Sequence, residues 1–304
     1  MGPAARPAHP PPTVLALLPQ LLLTGITVGS IYALGALGFV LIYSVTGILN
    51  FAQGEFSMLS ALVCATLLAW HLPLGLAACG AITAVCLVGA LTERLAIQPA
   101  FGGAPLTLLI ITFGVSMAFR GLALMVWGAD PYTLPEFTPG PPLVLLGGVL
   151  VRQAIWAIGL SGAVVVGLFA FFTRTVPGAA VRACADNAFA SRLVGISPRQ
   201  MSLLAFTLSA GLGAVAGLVI TPITGATYDM GLALGLKGFV AAVIGGLGNA
   251  PAAVVGGYLV GVIEALTSGY LSPGYGTAIT FLVLLIVLFL QREGLLHGAQ
   301  RRHA

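Results

Sequence analysis

Apolar segments of membrane-crossing length alternate with short polar interruptions along almost the whole chain. Crossing a hydrocarbon core about 30 Å thick takes roughly 20 apolar residues in helical form. Such runs fall at about 14–44, 52–70, 74–96, 105–127, 149–172, 200–222 and 276–291. The region 232–270 is apolar as well, but the turn-forming sequence GGLGNAP at 245–251 interrupts it. Two short or tilted helices joined by this glycine turn are predicted there. Irregular backbone at membrane depth needs protein or water around it, so the turn belongs inside the bundle or at its cytoplasmic mouth.

Two polar islands stand out between the runs. Arg174 to Arg199 holds Arg174, Arg182, Arg192 and Arg199, four of the twelve basic residues of the chain. Short arginine-bearing loops stay in the cytoplasm. This island is also helix-like: Pro177 suits a first helical turn, Gly195 suits a left-handed stop, and Ser197-Pro198 begins the next helix. One or two short cytoplasmic helices are expected over 178–195. The other island, Gly128 to Pro142, carries Asp130 and Glu136 without a basic residue and falls outside. With Arg94, the 174–199 island and Arg292, Arg301 and Arg302 all inside, the broken hairpin counted as two crossings gives an odd number. The amino terminus is then outside and the carboxyl terminus inside. Arg6 argues weakly the other way, and a hairpin over 14–44 would move the amino terminus inside.

Composition agrees with this class. Charged residues make up 7% of the chain and hydrophobic ones 59%, with a mean hydropathy of +1.07, so no water-facing surface for a soluble domain can be assembled. The fold class is all-α: a polytopic transmembrane helical bundle with a broken-helix hairpin and a short cytoplasmic coupling helix. Residues 1–304 form one transmembrane domain, with 1–13 a flexible Pro-rich tail before an uncleaved first span and 174–199 a cytoplasmic loop. The net charge of +4 comes from basic residues scattered at helix ends, which does not suit nucleic acid. Glycines four apart at Gly25/Gly29, Gly213/Gly217 and Gly257/Gly261 offer small faces for close helix packing.

The chemistry of a self-sufficient machine is missing. A phosphate-binding loop requires Gly-Lys-Ser/Thr, and the single lysine, Lys237, follows Leu236. No histidine lies within a span to act as base for Ser116, and no Cys/His cluster has metal-ligand spacing. No catalytic residue, metal or cofactor is therefore assigned. Polar groups inside spans are costly and usually functional. Asn50, Gln53 and Glu55 cluster where the second span opens, as a pathway lining or gate, or as a helix cap with Glu55 favoured by the macrodipole. Glu264 lies deep in GVIEALTSGY, with a pathway role or an interior polar contact equally open. Glu93 and Arg94 read as a solvated interfacial pair, and Asp229 and Lys237 as interfacial anchors.

Four stretches, in order along nearly the whole chain, carry a family resemblance. They are Gly29–Leu34 continuing to Leu41–Tyr43 and Gly47–Glu55 (GILNFAQGE), then Pro105–Gly121 (PLTLLIITFGVSMAFRG), Arg182–Asn187 through Leu193–Ile196, and Lys237–Gly257 (KGFVAAVIGGLGNAPAAVVGG). The chain resembles the permease subunits of branched-chain amino acid ABC importers, the LivH type. The resemblance implies an inner-membrane permease working by alternating access on branched-chain or other apolar amino acids. Its partners would be two ATPase subunits that bind the ATP, a second homologous permease and a secreted substrate-binding protein. It further implies that Arg182, Asp186, Asn187, Gly195 and Ile196 belong to the loop that docks on the ATPase. Gln53 stands where the family commonly has histidine, which leaves urea, short amides or another small solute open as the substrate. A stand-alone channel or secondary carrier is the rival from another class, though the basic loop would have no task in it.

Overall fold

The computed structural model describes residues 14–290 except positions 102, 146 and 147. The proline-rich start and the arginines at 292, 301 and 302 lie outside the described residues. Eleven helices occur in the described part: α1 (Val14–Thr46), α2 (Gln53–Ala69), α3 (Leu74–Thr92), α4 (Pro105–Trp127), α5 (Arg152–Arg174), α6 (Val176–Asp186), α7 (Ala188–Leu193), α8 (Pro198–Thr224), α9 (Met230–Gly245), α10 (Ala250–Tyr270) and α11 (Pro273–Leu290). A π turn over Glu93–Ile97 and a short 3-10 turn over Gln98–Ala100 extend α3. Strands β1 (Leu143–Leu145) and β2 (Gly148–Leu150) form a small antiparallel hairpin. The polytopic helical bundle expected from the hydrophobic pattern is what forms.

Helix α1 is one continuous 33-residue helix despite Pro19, so the first apolar stretch is a single span. It is the axis of the molecule, packed by α10, α8, α9 and α5. The glycine spacings explain why. Gly25 and Gly29 lie directly against the backbone of Gly257, Tyr258, Gly261 and Val262; a Cβ on Gly261 would sit 2.4 Å from the Gly29 Cα. Gly217 meets Ser57 and Ser60 of α2 in the same way. Small faces replace the missing hydrophobic drive between helices in lipid by backbone-close van der Waals packing.

The two ends of the bundle differ. The island end carries α6, α7, the last turns of α1 and α5, and the α9–α10 turn. The hairpin end carries β1–β2, whose Val149 N–H donates to Gln20 Oε1 of α1 at 2.6 Å. Residues 128–142 are pinned there: Phe137 N–H donates to Gln153 Oε1 at 3.2 Å, while Gln153 Nε2 donates to the Val219 carbonyl at 3.1 Å. Tyr132 and Ala226 bridge the island to the segment after α8.

Two helices are too short to cross alone. At 1.5 Å per residue, the 17 residues of α2 and the 16 of α9 reach only about 26 and 24 Å. After Thr46 the chain turns at Gly47 (φ +69°) and runs back into the bundle. Helix α2 thus begins beside Gly38, well inside the length of α1. From the hairpin end, 225–229 likewise descends before α9 starts. The two starts meet where Gly54 faces Gly231 and Gly235, contacts that any side chain would block. In the 232–270 region only α9 is short. Helix α10, with 21 residues, is long enough to cross by itself, because Asn249 caps it cleanly through Oδ1 to Ala252 N–H at 3.2 Å and Pro251 fits its first turn.

Candidate functional site

The junction of α2 and α9 holds a buried carboxylate that is only partly satisfied. Glu55, in the first turn of α2, is fully buried. Ser116 of α4 donates to its Oε1 at 2.7 Å, and Arg120 Nε, one turn further along α4, stands 3.3 Å from the same oxygen. The ion pair lacks hydrogen-bond geometry at Nε, and Glu55 Oε2 has no partner. That oxygen points at Gly231, where a Cβ would collide with it. Asp229, exposed at the start of α9, is close enough to act electrostatically on Glu55. Two carboxylates and a guanidinium therefore lie near one another at the starts of two part-length helices. Starts of this kind offer fixed positive dipole ends to anionic groups.

The Arg120 side chain is 25% exposed. An arginine in the middle of a span cannot face lipid without a large penalty, so its exposed part must meet water or protein. Sequence reasoning had not assigned it a role, although an arginine inside an otherwise apolar 23-residue helix is itself the signal. Two turns toward the island end, Phe113 stacks on Phe51 at 4.2 Å, and Phe51 packs on Phe239 of α9 at 5.5 Å.

Asn50, Gln53 and Glu55 are close in sequence, yet their side chains do different work. Asn50 Oδ1 accepts from Ala52 N–H at 3.1 Å, which shapes the entry to α2. Gln53 turns the other way from Glu55. Its Nε2 donates to the Ser209 carbonyl at 3.0 Å, and the Ser209 hydroxyl lies between Gln53 Oε1 and the Gly38 carbonyl. Gln53 thus staples α2 to α1 and α8.

Glu264 belongs to a second site. Lys237 Nζ donates to its Oε1, and Tyr32 donates to its Oε2 at 2.9 Å. Lys237 also lies 5.5 Å from the Tyr32 ring centroid. The expectation of Lys237 as an interfacial anchor is thereby corrected: it sits mid-helix in α9 with a carboxylate on α10 to neutralise it. The Glu93–Arg94 reading also changes. Adjacent helical residues point about 100° apart, so Arg94 reaches the surface while Glu93 is buried beside Ser202 of α8.

At the island end, 174–199 folds as two short helices, where one or two were expected. Thr175 caps α6 by accepting from Gly178 N–H at 3.1 Å. Asn187 caps α7 by accepting from Phe189 and Ala190 N–H at 3.0 and 2.9 Å. Gly195 closes α7 with φ +85°, and the paired bonds Ile196 N–H to Ser191 O and Gly195 N–H to Arg192 O form the expected left-handed stop. Ile196 packs into the α1–α8 core, while Phe189, Leu193 and Val194 are exposed. Arg182 and Asp186 are exposed on α6 at the mouth of an inner cavity.

Comparison with known proteins agrees with this architecture. Residues 21–288 match the family described as branched-chain amino acid transport system / permease component. The chain is 31% identical to the high-affinity branched-chain amino acid transport system permease protein LivH of Escherichia coli (strain K12), over 91% of this chain and 94% of that one. The LivH protein of Salmonella typhimurium (strain LT2) matches equally. The corresponding BraD of Pseudomonas aeruginosa is 33% identical, over 91% and 95%.

Proposed function

This chain belongs to the permease-component family of branched-chain amino acid transport systems, and we propose that it carries apolar amino acids across the membrane as one half of an ATP-driven importer. It is a multi-pass protein of the cytoplasmic membrane. In this reading the hairpin end faces outward and receives substrate from a binding protein. The island end faces the cytoplasm and rests on an ATPase pair. A second homologous permease completes the route, and the chain itself performs no covalent chemistry.

The observation that carries the reading is the half-satisfied charge site at Glu55. A zwitterionic amino acid has an ammonium for Glu55 and Asp229 and a carboxylate for Arg120, so its backbone charges complete what the protein leaves open. Helix α4 is sparsely packed within the chain, and Ile110, Phe113, Met117 and Leu124 line its exposed surface near Arg120. Facing a second permease, that stripe would flank an apolar route for the side chain. The phenylalanines at 51, 113 and 239 would narrow it on the cytoplasmic side. Asn50 and Gln53 serve the route by holding the start of α2 in place. Because Gln53 is already engaged with Ser209, its replacement of histidine need not change what is carried. Glu264 of α10 is tied to Lys237 of α9 and would sense movement of α9.

Coupling falls to α6–α7. Phe189, Leu193 and Val194 expose large apolar side chains on α7 and its stop, as a partner-covered patch does. Asn187 and Gly195 fix its shape, Ile196 ties it to α8, and Arg182 and Asp186 flank it. Alternating access then follows if ATP binding shifts this element together with the inner end of α1.

The test is uptake by the complete complex in proteoliposomes, with its binding protein, of labelled leucine against urea and acetamide. Leucine uptake that falls with Glu55→Gln or Arg120→Gln supports the reading. Transport of urea or acetamide and not leucine, or full leucine uptake by both variants, overturns it.

A further inference from the structure

A separate cavity of about 530 Å³ opens at the island end. Leu37 and Leu41 of α1 and Leu168 and Phe172 of α5 form its apolar walls, and the α9–α10 turn closes one side through Gly248 and Pro251. Arg182 and Asp186 of α6 stand at its rim. It shares no residue with the Glu55 site.

The two rim charges flank the proposed docking patch, yet among the described residues of this chain they are not paired with each other. They are four residues apart on one helix, and Arg before Asp is the weaker order for such a pair. Asp186 also ends α6, where the helix dipole disfavours a carboxylate. A carboxylate placed against the dipole and left unpaired is suited to an incoming cation. A guanidinium one turn away is suited to an anion, and between them lies apolar space of ligand size. We propose that this cavity is a cytoplasmic binding site for a free amino acid with an apolar side chain. The ammonium would bind Asp186, the carboxylate Arg182, and the side chain would enter between α1 and α5.

Occupation would wedge α6 against α1 and the α9–α10 turn, which are the parts that the coupling element must move. The site would therefore respond to accumulated product by slowing transport. The identity of the ligand rests on the amino-acid reading above; the cavity and its charges do not.

The experiment uses the complete complex in liposomes with the ATPases facing the bath, and with the binding protein and labelled leucine enclosed. Unlabelled leucine is titrated into the bath while ATP drives transport outward. The wild type should slow as bath leucine rises. Ser44→Leu and Thr173→Leu, which fill the cavity from α1 and α5, should raise the half-inhibitory concentration by about ten-fold or more, the equivalent of losing the burial of one aliphatic side chain. Equilibrium binding of labelled leucine to the complex without binding protein is measured in parallel. Saturable binding that the filled variants lose and Glu55→Gln keeps supports the cavity, even if leucine proves not to be the cargo. Binding lost with Glu55→Gln and kept by the filled variants overturns it by placing leucine in the route. No binding, or a co-purified phospholipid that only the filled variants lack, overturns it as well.

Discussion

Two carboxylate–cation pairs lie inside the bundle, and they are satisfied to different degrees. Glu264 has both oxygens engaged, one by Lys237 and one by Tyr32. Glu55 has one oxygen shared by Ser116 and Arg120 and the other unpartnered, with Arg120 partly exposed. A closed pair of this kind holds α1, α9 and α10 together. An open pair leaves binding capacity unspent, and it lies where two part-length helices begin. The contrast teaches that the presence of charge in a span says little by itself; whether every lone pair and proton is taken separates a brace from a site.

Removing one half of the closed pair should have the largest effect on stability. Glu264→Ala strands a part-buried ammonium and should cost about 3 kcal/mol, the lower end of the range for a buried pair, read as a drop in the thermal midpoint of the purified complex. The double variant Lys237→Met/Glu264→Leu should recover most of the loss. If the double variant is as unstable as the single one, the pair is not a simple brace.

At the open pair the order of effects reverses. Glu55→Gln should keep the thermal midpoint close to wild type yet lower leucine uptake by about 10- to 100-fold, since a charge-assisted contact to the ligand is worth roughly 1.5–3 kcal/mol. Equal losses of stability and uptake would make the two pairs alike and remove the distinction.

Gln53→Leu sharpens the comparison from a neighbouring position. It deletes the bonds to Ser209 and should cost about 1–3 kcal/mol of stability, while molecules that remain folded still transport leucine. A wild-type midpoint with abolished uptake would move Gln53 into the route.

The smallest cost falls outside the bundle. Gly195→Val places a β-branched residue at φ +85°, a strain of about 1–2 kcal/mol confined to the α7 stop. Its mark should be weaker co-purification of the ATPases or reduced stimulation of ATP hydrolysis, with thermal stability little changed. Intact ATPase binding and stimulation alongside lost transport would detach the loop from coupling.

Much of the architecture could be read before any coordinates. The glycines at 25, 29, 257 and 261 signalled a close helix contact, though not that each pair faced the other. The stop at Gly195 lies within a few residues of what it ends, so local sequence sufficed; the caps at Asn187 and Asn249 act as locally but emerged only from the structure. The adjacency of Asn50, Gln53 and Glu55 suggested one cluster, where the helix sends their side chains to different neighbours. Arg120 went without a role because its partner lies on another helix, 65 positions earlier in numbering.

The sequence by itself determined the membrane class, the helical spans, the two-helix island and its left-handed stop. These follow from constraints that act locally: a bilayer requires backbone bonds to close within each segment, and caps act over one turn. Only the tertiary structure decided that α2 and α9 begin inside the bundle, that Glu55 meets Arg120, that Lys237 meets Glu264, and that Glu93 is buried while Arg94 is not. Those outcomes depend on which face each side chain leaves its helix by and on which helix packs there. Packing of that kind is set by backbone approach at glycines spread across the whole chain, and no window of sequence contains it.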